Sequence, residues 1–349
     1  MSRFFSKKFD KLVPYTPGEQ PKEQKFIKLN TNECPYPPSE LAKKKAYEAA
    51  EKLNLYSDPE AKILHEKIAE IIGVKKSQVL ATNGSDEILN FAFMAFCDDE
   101  HSAVFPDITY GFYPVFAKLN AIPYEEIPLC EDFTINVDDY IGINKNVFIA
   151  NPNAPTGISL ELSDIERIVE SNTDNIVVID EAYVDFGGES AVCLIEKYDN
   201  LLVTRTFSKS RSLAGARLGF GIACEELIRD LNTVKYSTNP YNVNSMTMAA
   251  GVGVLSDEAY TKANCEKIIK TREYTKRELE KLGFFVLPSC ANFVFAKHKQ
   301  FSGEAVYQKL RENGILVRHF DKERIKDYNR ITIGTFEEME TMIKVLEKI

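Results

Sequence analysis

Residues 204–220 read TRTFSKSRSLAGARLGF, which sets Lys209 among hydroxyl side chains directly after an apolar run, with Arg217 close behind. Hydroxyls and a guanidinium bind a phosphate well. A lysine held in an apolar pocket near another cation gives up its proton readily, and the freed amine is a nucleophile. The ordinary alternative is a lysine that snorkels from a strand end. Three other segments offer complementary chemistry. In TNGSDE, Gly84 allows a tight turn, and Ser85 and Asp86 open a helix whose free N–H groups and dipole attract an anion, unless Ser85 is a plain N-cap. In ANPNAPTG, residues 150–157, two prolines and a glycine stiffen a loop from which Asn153 can reach a ligand oxygen. In VVIDEAY, Asp180 and Glu181 follow a strand too apolar to be exposed, so a carboxylate there needs a cation, either a protonated ring nitrogen or a structural arginine.

The elements that carry these segments have a consistent pattern. From Leu55 onward, short apolar runs (QVLAT, SAVF, NVFIA, NIVVID, LLVTR, LGFGIA) alternate with helical patterns. Such alternation indicates a mostly parallel sheet covered on both faces, an α/β architecture whose ligands bind beyond the carboxyl ends of the strands. Ser57 with Glu60, and Ser163 with Glu166, are spaced as capping boxes of two helices, and Gly73 is placed to stop the first of them. After Asn244 the texture changes. A long charged helix over about 257–282 precedes a strand NFVFA, a helix over about 303–312, strands GILVR and RITIG, and a final helix. This predicts an N-terminal arm over 1–45, a large domain over 46–245 and a smaller α+β domain over 246–349. The four chemical segments fall at strand ends of the large domain. One ligand that would use all four has a phosphate, a basic ring nitrogen and an aldehyde, a description met by pyridoxal 5′-phosphate.

The ordered set LNTNECPYPPS, YSDPE, NGSDE, NPNAPTG, DEAY, TFSKSRSLAGARLGF and RITIGT resembles the histidinol-phosphate aminotransferase family, over about residues 15 to 335. These are fold-type I pyridoxal-phosphate enzymes, so the resemblance implies a large domain with a mostly parallel seven-stranded sheet between helices, plus a smaller α+β domain. It implies that Lys209 bonds the cofactor aldehyde and later moves a proton between substrate Cα and the cofactor. Asp180 keeps the ring nitrogen protonated, Tyr183 hydrogen-bonds the ring oxygen and Tyr110 stacks on the ring. Ser85, Asp86, Thr206, Ser208 and Arg217 surround the cofactor phosphate, joined by Tyr56 of a neighbouring subunit, which makes the active unit a homodimer. The family's asparagine before the second loop proline is Ala154 here. Either Asn153 replaces it at the ring oxygen, the preferred reading, or Tyr183 holds that oxygen alone. Tyr15, Arg318 and Arg330 match the residues that receive the substrate phosphate, with Arg330 also taking the carboxylate of glutamate. The implied reaction is amino transfer between histidinol phosphate and 2-oxoglutarate, giving imidazole-acetol phosphate and glutamate. A threonine-phosphate decarboxylase-like lyase and an aromatic amino-acid aminotransferase of the same fold are the alternatives.

Composition bounds the partners. Lys+Arg 43 against Asp+Glu 52 gives −9, which argues against a nucleic-acid or anionic-membrane surface. Seven scattered cysteines without CxxC read as reduced thiols of a cytoplasmic protein, and four histidines without HxxH or HxxxH leave no zinc pattern. The opening MSRFFSKKFDKLVPY lacks the apolar centre of a signal peptide, and the apolar run at 88–96 is too short to span a bilayer. GARLGFG lacks the spacing of a dinucleotide-binding loop.

Overall fold

A computed structural model describes residues 2–9, 12–20 and 26–349; residues 1, 10–11 and 21–25 of the expected arm lie outside the described residues. Strand β1 (Ile27–Lys28) is followed by helices α1 (Glu40–Ala50) and α2 (Lys62–Ile72). The central run is β2 (Val79–Thr82), α3 (Ser85–Phe96), β3 (Ala103–Pro106), α4 (Tyr113–Leu119), β4 (Tyr124–Ile127), β5 (Asn146–Ala150) and α5 (Leu162–Ser171). It continues through β6 (Val177–Asp180), β7 (Leu201–Thr206) and β8 (Gly219–Ile222). Then come α6 (Glu225–Thr238), α7 (Ser245–Leu255), α8 (Glu258–Lys281), β9 (Phe284–Val286), β10 (Phe293–His298) and α9 (Gly303–Glu312). Strands β11 (Ile315–Leu316), β12 (Arg318–His319) and β13 (Tyr328–Thr332) and helix α10 (Phe336–Leu346) end the chain.

The expected α/β sheet is present, with seven strands in the order β2-β8-β7-β6-β5-β3-β4. Only β8 runs against its neighbours, β2 and β7; the other pairs are parallel. Strand periodicity sends alternate residues to two cores. Val147, Ile149, Val177, Ile179, Leu201 and Val203 pack under α2, α5 and α7. Phe148, Val178 and Leu202 pack under α3, α4 and α6. Burial on both faces is why these strands read as unbroken apolar runs. The seventh strand, β4, has no such run. It lies at the sheet edge with Glu125 and Glu126 exposed, so only its pairing with β3 defines it.

The C-terminal strands form a second sheet, β12-β13-β10-β9, entirely antiparallel, and β1 pairs in parallel with β11. Leu279, Phe293, Ile331, Met339 and Met342 build the core beneath α8, α9 and α10. The stretch GILVR, which reads as one strand, is split at Val317 between two sheets. That break pairs Arg318 with Arg330. Neither expected capping box forms. Asp58 accepts from the backbone N–H of Glu60 (3.0 Å) and Lys62 (2.9 Å), and Ala61 takes a left-handed φ of 46°, so the first helix begins at Lys62. Glu166 instead meets Lys197 at 2.7 Å and Tyr198 at 3.1 Å, and its helix starts one residue before Ser163. At the first a competing acceptor takes the backbone N–H the box needed, and at the second competing donors take its glutamate side chain. Gly73 does end α2, with φ 83°.

Candidate active site

At the carboxyl ends of β6 and β7 lies a cavity of about 330 Å³, whose wall includes Ser85, Asp180, Thr206, Ser208, Lys209 and Arg217. Helix α3 points its N-terminus at this space. Its N-cap is Gly84, with φ +82° and no capping side chain, so the alternative of Ser85 as a plain N-cap does not hold. A side chain at Gly84 would strike the Arg217 guanidinium, and one at Gly219 would strike the backbone of Gly84 and Ser85. Glycine at both positions lets β8 and Arg217 close on the helix end. Past β7 the chain turns on its own hydroxyls: Ser208 N–H donates to Thr206 Oγ1 (3.1 Å), and Thr206 Oγ1 donates to Ser208 Oγ (3.0 Å). Arg217, itself left-handed at φ 56°, reaches Ser208 Oγ at 3.3 Å and Asp86 Oδ2 at 3.0 Å. The start of α3, the Thr206 and Ser208 hydroxyls and Arg217 thus gather on one wall of the cavity, a suitable cradle for a phosphate.

On the other side stands Asp180, 4% exposed. It accepts from Thr204 Oγ1 at 3.2 Å and, at a long 3.4 Å, from the Tyr113 hydroxyl. Burial, and then the charge of Asp86, push its carboxyl up to about 7. Neither neighbour is a cation, so an ionised Asp180 lacks the partner its burial demands. Tyr110 lines the cavity and donates to Asp86 Oδ1 at 2.6 Å, whereas Tyr113 is fully buried behind Asp180. Lys209 Nζ donates to Thr31 O at 3.1 Å and lies 5.7 Å from the centre of the Tyr183 ring. A phosphate cradle, a buried carboxylate without a cation and a lysine amine therefore share one space, and these residues fit pyridoxal 5′-phosphate.

A larger cavity of about 750 Å³ adjoins the first, sharing Tyr110, Ala154, Tyr183 and Lys209. Tyr15, Arg318 and Arg330 belong to its wall. Tyr15 stacks on Phe112 with ring centres 4.2 Å apart. Arg318 and Arg330 are directly opposed across β12 and β13, and among the described residues neither has a carboxylate within ion-pair distance. Arg318 is tied to Thr16 O (3.2 Å) and Pro17 O (3.4 Å), and Arg330 to Asn30 O (3.2 Å). Arg330 Nε is buried without a hydrogen-bond partner among the described residues. Burial holds the Arg330 guanidinium below the ordinary arginine pKa. Both guanidinium groups lie over Phe320, at 5.7 and 5.9 Å. Like charges opposed on adjacent strands repel, and an anion between them removes the repulsion.

The sequence profile of the class I and II aminotransferases matches residues 24–346. The chain belongs to that family. The histidinol-phosphate aminotransferase of Brachyspira hyodysenteriae is 49% identical over 351 residues, covering 100% of this chain and 99% of that relative. The enzyme of that name from Acinetobacter baumannii (strain AYE) is 49% identical over 350 residues, covering 99% and 97%. The crystal structure of histidinol-phosphate aminotransferase from Sinorhizobium meliloti in complex with pyridoxal-5′-phosphate superposes with a TM-score of 0.90 at 20% identity, over 100% of this chain and 99% of that one. The fold is fold type I, as the motifs led us to expect.

In this aminotransferase two expected site residues stand apart from both cavities. Asn153 is 4% exposed, and its amide serves its own loop and the next. It donates to Ile108 O and Thr156 Oγ1, both at 3.0 Å, and accepts from Thr109 Oγ1 at 2.8 Å. Ala154 forms the wall instead. The amide of Asn153 is thus engaged within its own loop and the next one. Tyr56 is 84% exposed and stacks on Tyr241 at 4.6 Å, facing outward. Sequence reasoning overlooked Thr31, Asn32 and Thr204, and weighed Tyr113 only as a rival to Tyr110. Polar residues in a loop or on a strand carry no pattern that says which way they face; Asn32 and Thr31 sat inside a quoted motif without a role. No cluster of three or more metal-ligating side chains occurs among the described residues. No described helix is long and apolar enough to cross a membrane.

Proposed function

We propose that this aminotransferase transfers an amino group between histidinol phosphate and 2-oxoglutarate, using pyridoxal 5′-phosphate held in the smaller cavity. The observation that carries the substrate is the opposed pair Arg318 and Arg330 in the adjoining cavity, without a paired carboxylate among the described residues. A phosphate dianion satisfies both guanidinium groups at once. The cofactor, when bound, supplies an aldehyde that receives the amino group and a ring that accepts electrons as Cα loses its proton.

The protein's own residues do the rest. Ser85 and Asp86 at the start of α3, with Thr206, Ser208 and Arg217, hold the cofactor phosphate. Asp180, without a paired cation among the described residues, keeps a proton on the ring nitrogen. Tyr110 covers one ring face, and the Tyr183 hydroxyl donates to the ring oxygen where Ala154 offers no donor. Lys209 would hold the cofactor aldehyde through its amine, and its Nζ would be the group that moves a proton at the substrate Cα. Tyr15 closes on the substrate phosphate beside the two arginines, and Arg330 alone takes the carboxylate of glutamate.

The same reading makes the active unit a cytoplasmic homodimer, with the exposed Tyr56 reaching the cofactor phosphate of the second copy. It divides the chain into an arm over 1–45, a large domain over 46–245 and a small domain over 246–349. The test is single-turnover stopped-flow with histidinol phosphate against histidinol, followed by 2-oxoglutarate. Loss of the phosphate should lower kcat/KM by at least ~100-fold, since two charge-assisted contacts vanish. Equal rates would remove the arginine pair from substrate recognition, and release of carbon dioxide from phosphothreonine would establish the lyase instead.

A further inference from the structure

Asn32 stands in an unusual place. It is 1% exposed, yet it adopts a left-handed backbone with φ 56° without being glycine. Its side chain joins the N-terminal segment to both halves of the site. Asn32 Nδ2 donates to the Tyr183 hydroxyl oxygen at 2.9 Å, and Asn32 Oδ1 accepts from Thr332 Oγ1 at 2.9 Å. The backbone N–H of Asn32 donates to that same Thr332 Oγ1 at 3.0 Å, while its carbonyl accepts from Asn292 Nδ2 at 3.0 Å.

Each donor has a direction, and the directions are linked. A backbone N–H can only donate, so Thr332 Oγ1 is the acceptor of Asn32 N–H and its single proton is free for Asn32 Oδ1. With Oδ1 facing Thr332 the hydroxyl proton is used, whereas the flipped amide would leave that proton without its acceptor, so the arrangement that satisfies both groups turns Nδ2 toward Tyr183. The Tyr183 oxygen thereby receives a proton from the amide and keeps its own to give away. Tyr183 is 8% exposed and forms wall in both cavities, so the free direction of that proton is the site. On this side Ala154 presents a methyl group, and Asn153 is engaged elsewhere. A hydroxyl that accepts one hydrogen bond is a stronger donor of the next, because the bonds polarise one another.

We propose that Asn32, oriented by Thr332, is a positioning residue that makes Tyr183 an obligate donor toward the cofactor's ring oxygen and so sets the protonation of the bound cofactor. This rests on the reading above in which Tyr183 meets that oxygen. Donation to the ring oxygen draws charge from it and weakens its hold on the proton shared with the neighbouring nitrogen. Removing the donor, or spoiling its direction, raises the pH at which the visible band of the bound cofactor titrates. The charged groups lining the smaller cavity are Lys209, Asp180, Glu33 and the Asp86–Arg217 pair, and the adjoining cavity adds Arg318 and Arg330, with Asp107, Lys118, Glu126, Asp321 and Lys322 in its wall; all are retained in the variants below.

The experiment is a spectroscopic pH titration of the purified holoenzyme. Tyr183→Phe serves as the reference and should raise the midpoint by about one unit or more, a loss of one charge-assisted bond. Asn32→Gly removes the amide without strain at the left-handed position and should raise it by roughly half a unit. Thr332→Val should shift it in the same direction, and Thr332→Ser should restore the starting value. Combined with Tyr183→Phe, Asn32→Gly should add nothing, since the two act through one hydroxyl. A merely structural Asn32 gives an unchanged midpoint, or a shift that persists in full beside Tyr183→Phe, and either result overturns the inference. If Tyr183→Phe itself leaves the midpoint in place, Tyr183 does not meet the ring oxygen, and the inference falls together with that part of the reading beneath it.

Discussion

Two cationic ends face each other across Lys209, and they are built on opposite plans. At the smaller cavity Arg217 is already paired with Asp86 at 3.0 Å and supported by Ser208, with its side chain 46% exposed. An exposed pair of this kind contributes about 0–1 kcal/mol and is easily shared with an incoming anion. At the larger cavity Arg318 and Arg330 oppose each other, hydrogen-bonded among the described residues only to backbone carbonyls and stacked over Phe320, with no hydrogen-bond partner for Arg330 Nε among those residues. The first end is complete in the protein and adds a ligand to an existing network of hydroxyls, helix end and ion pair. The second is incomplete until a dianion arrives. That difference suits a cofactor retained through many cycles at one end and a substrate that exchanges, and is selected, at the other.

The largest effect should come from the residue common to both ends. Lys209→Ala is expected to lose transamination by several orders of magnitude while keeping phosphate-anchored cofactor, because nucleophile and proton carrier disappear together. Near-normal steady-state turnover in that variant would place the chemistry elsewhere. Next come the arginines. Removing either leaves a buried dianion underpaired, which costs on the order of 2–4 kcal/mol, or roughly 30- to 1000-fold in kcat/KM for histidinol phosphate. The two should part in the second half-reaction: Arg330→Ala also slows glutamate, while Arg318→Ala largely spares it. Equal slowing of both half-reactions by Arg318→Ala would remove its selective role and favour an aromatic amino-acid substrate.

The smallest effect sharpens the contrast from the side of stability. Asp180 is a buried carboxyl raised from 3.8 to about 7, so the folded protein without cofactor holds that proton more tightly than the unfolded chain. Its contribution is fully present below about pH 4 and is lost as pH rises toward about 7, a change on the order of a few kcal/mol. Melting temperatures of the cofactor-free protein should show this decline superimposed on other titrations, and Asp180→Asn should flatten it. A wild-type profile identical to that of Asp180→Asn would mean that Asp180 is not uncompensated in the way its surroundings imply.

Much of this was legible from residue order because it depends on local chemistry. Short apolar runs that alternate with amphipathic helical patterns indicate strands buried on both faces, so the centre of the sheet and the residues at its carboxyl ends follow from β5, β6 and β7. Edge strand β4 was hidden because Glu125 and Glu126 face solvent, and a half-covered strand carries no apolar signature. The capping boxes at Ser57 and Ser163 misled for a related reason: Asp58 and Lys197 compete for the same groups, and spacing does not rank competitors.

The boundary between the two kinds of information passes through the site itself. Residue types and their order determined that a lysine, a buried aspartate, hydroxyls and arginines would stand at strand ends, since each type is tolerated there only for a narrow set of physical reasons. Tertiary structure alone decided direction. It turned the amide of Asn153 into its own loop, placed Asn32 some 300 residues along the chain from its partner Thr332, and broke GILVR so that Arg318 faces Arg330. Hydrogen-bond direction and cross-strand register arise between segments distant in sequence, where no local pattern constrains them.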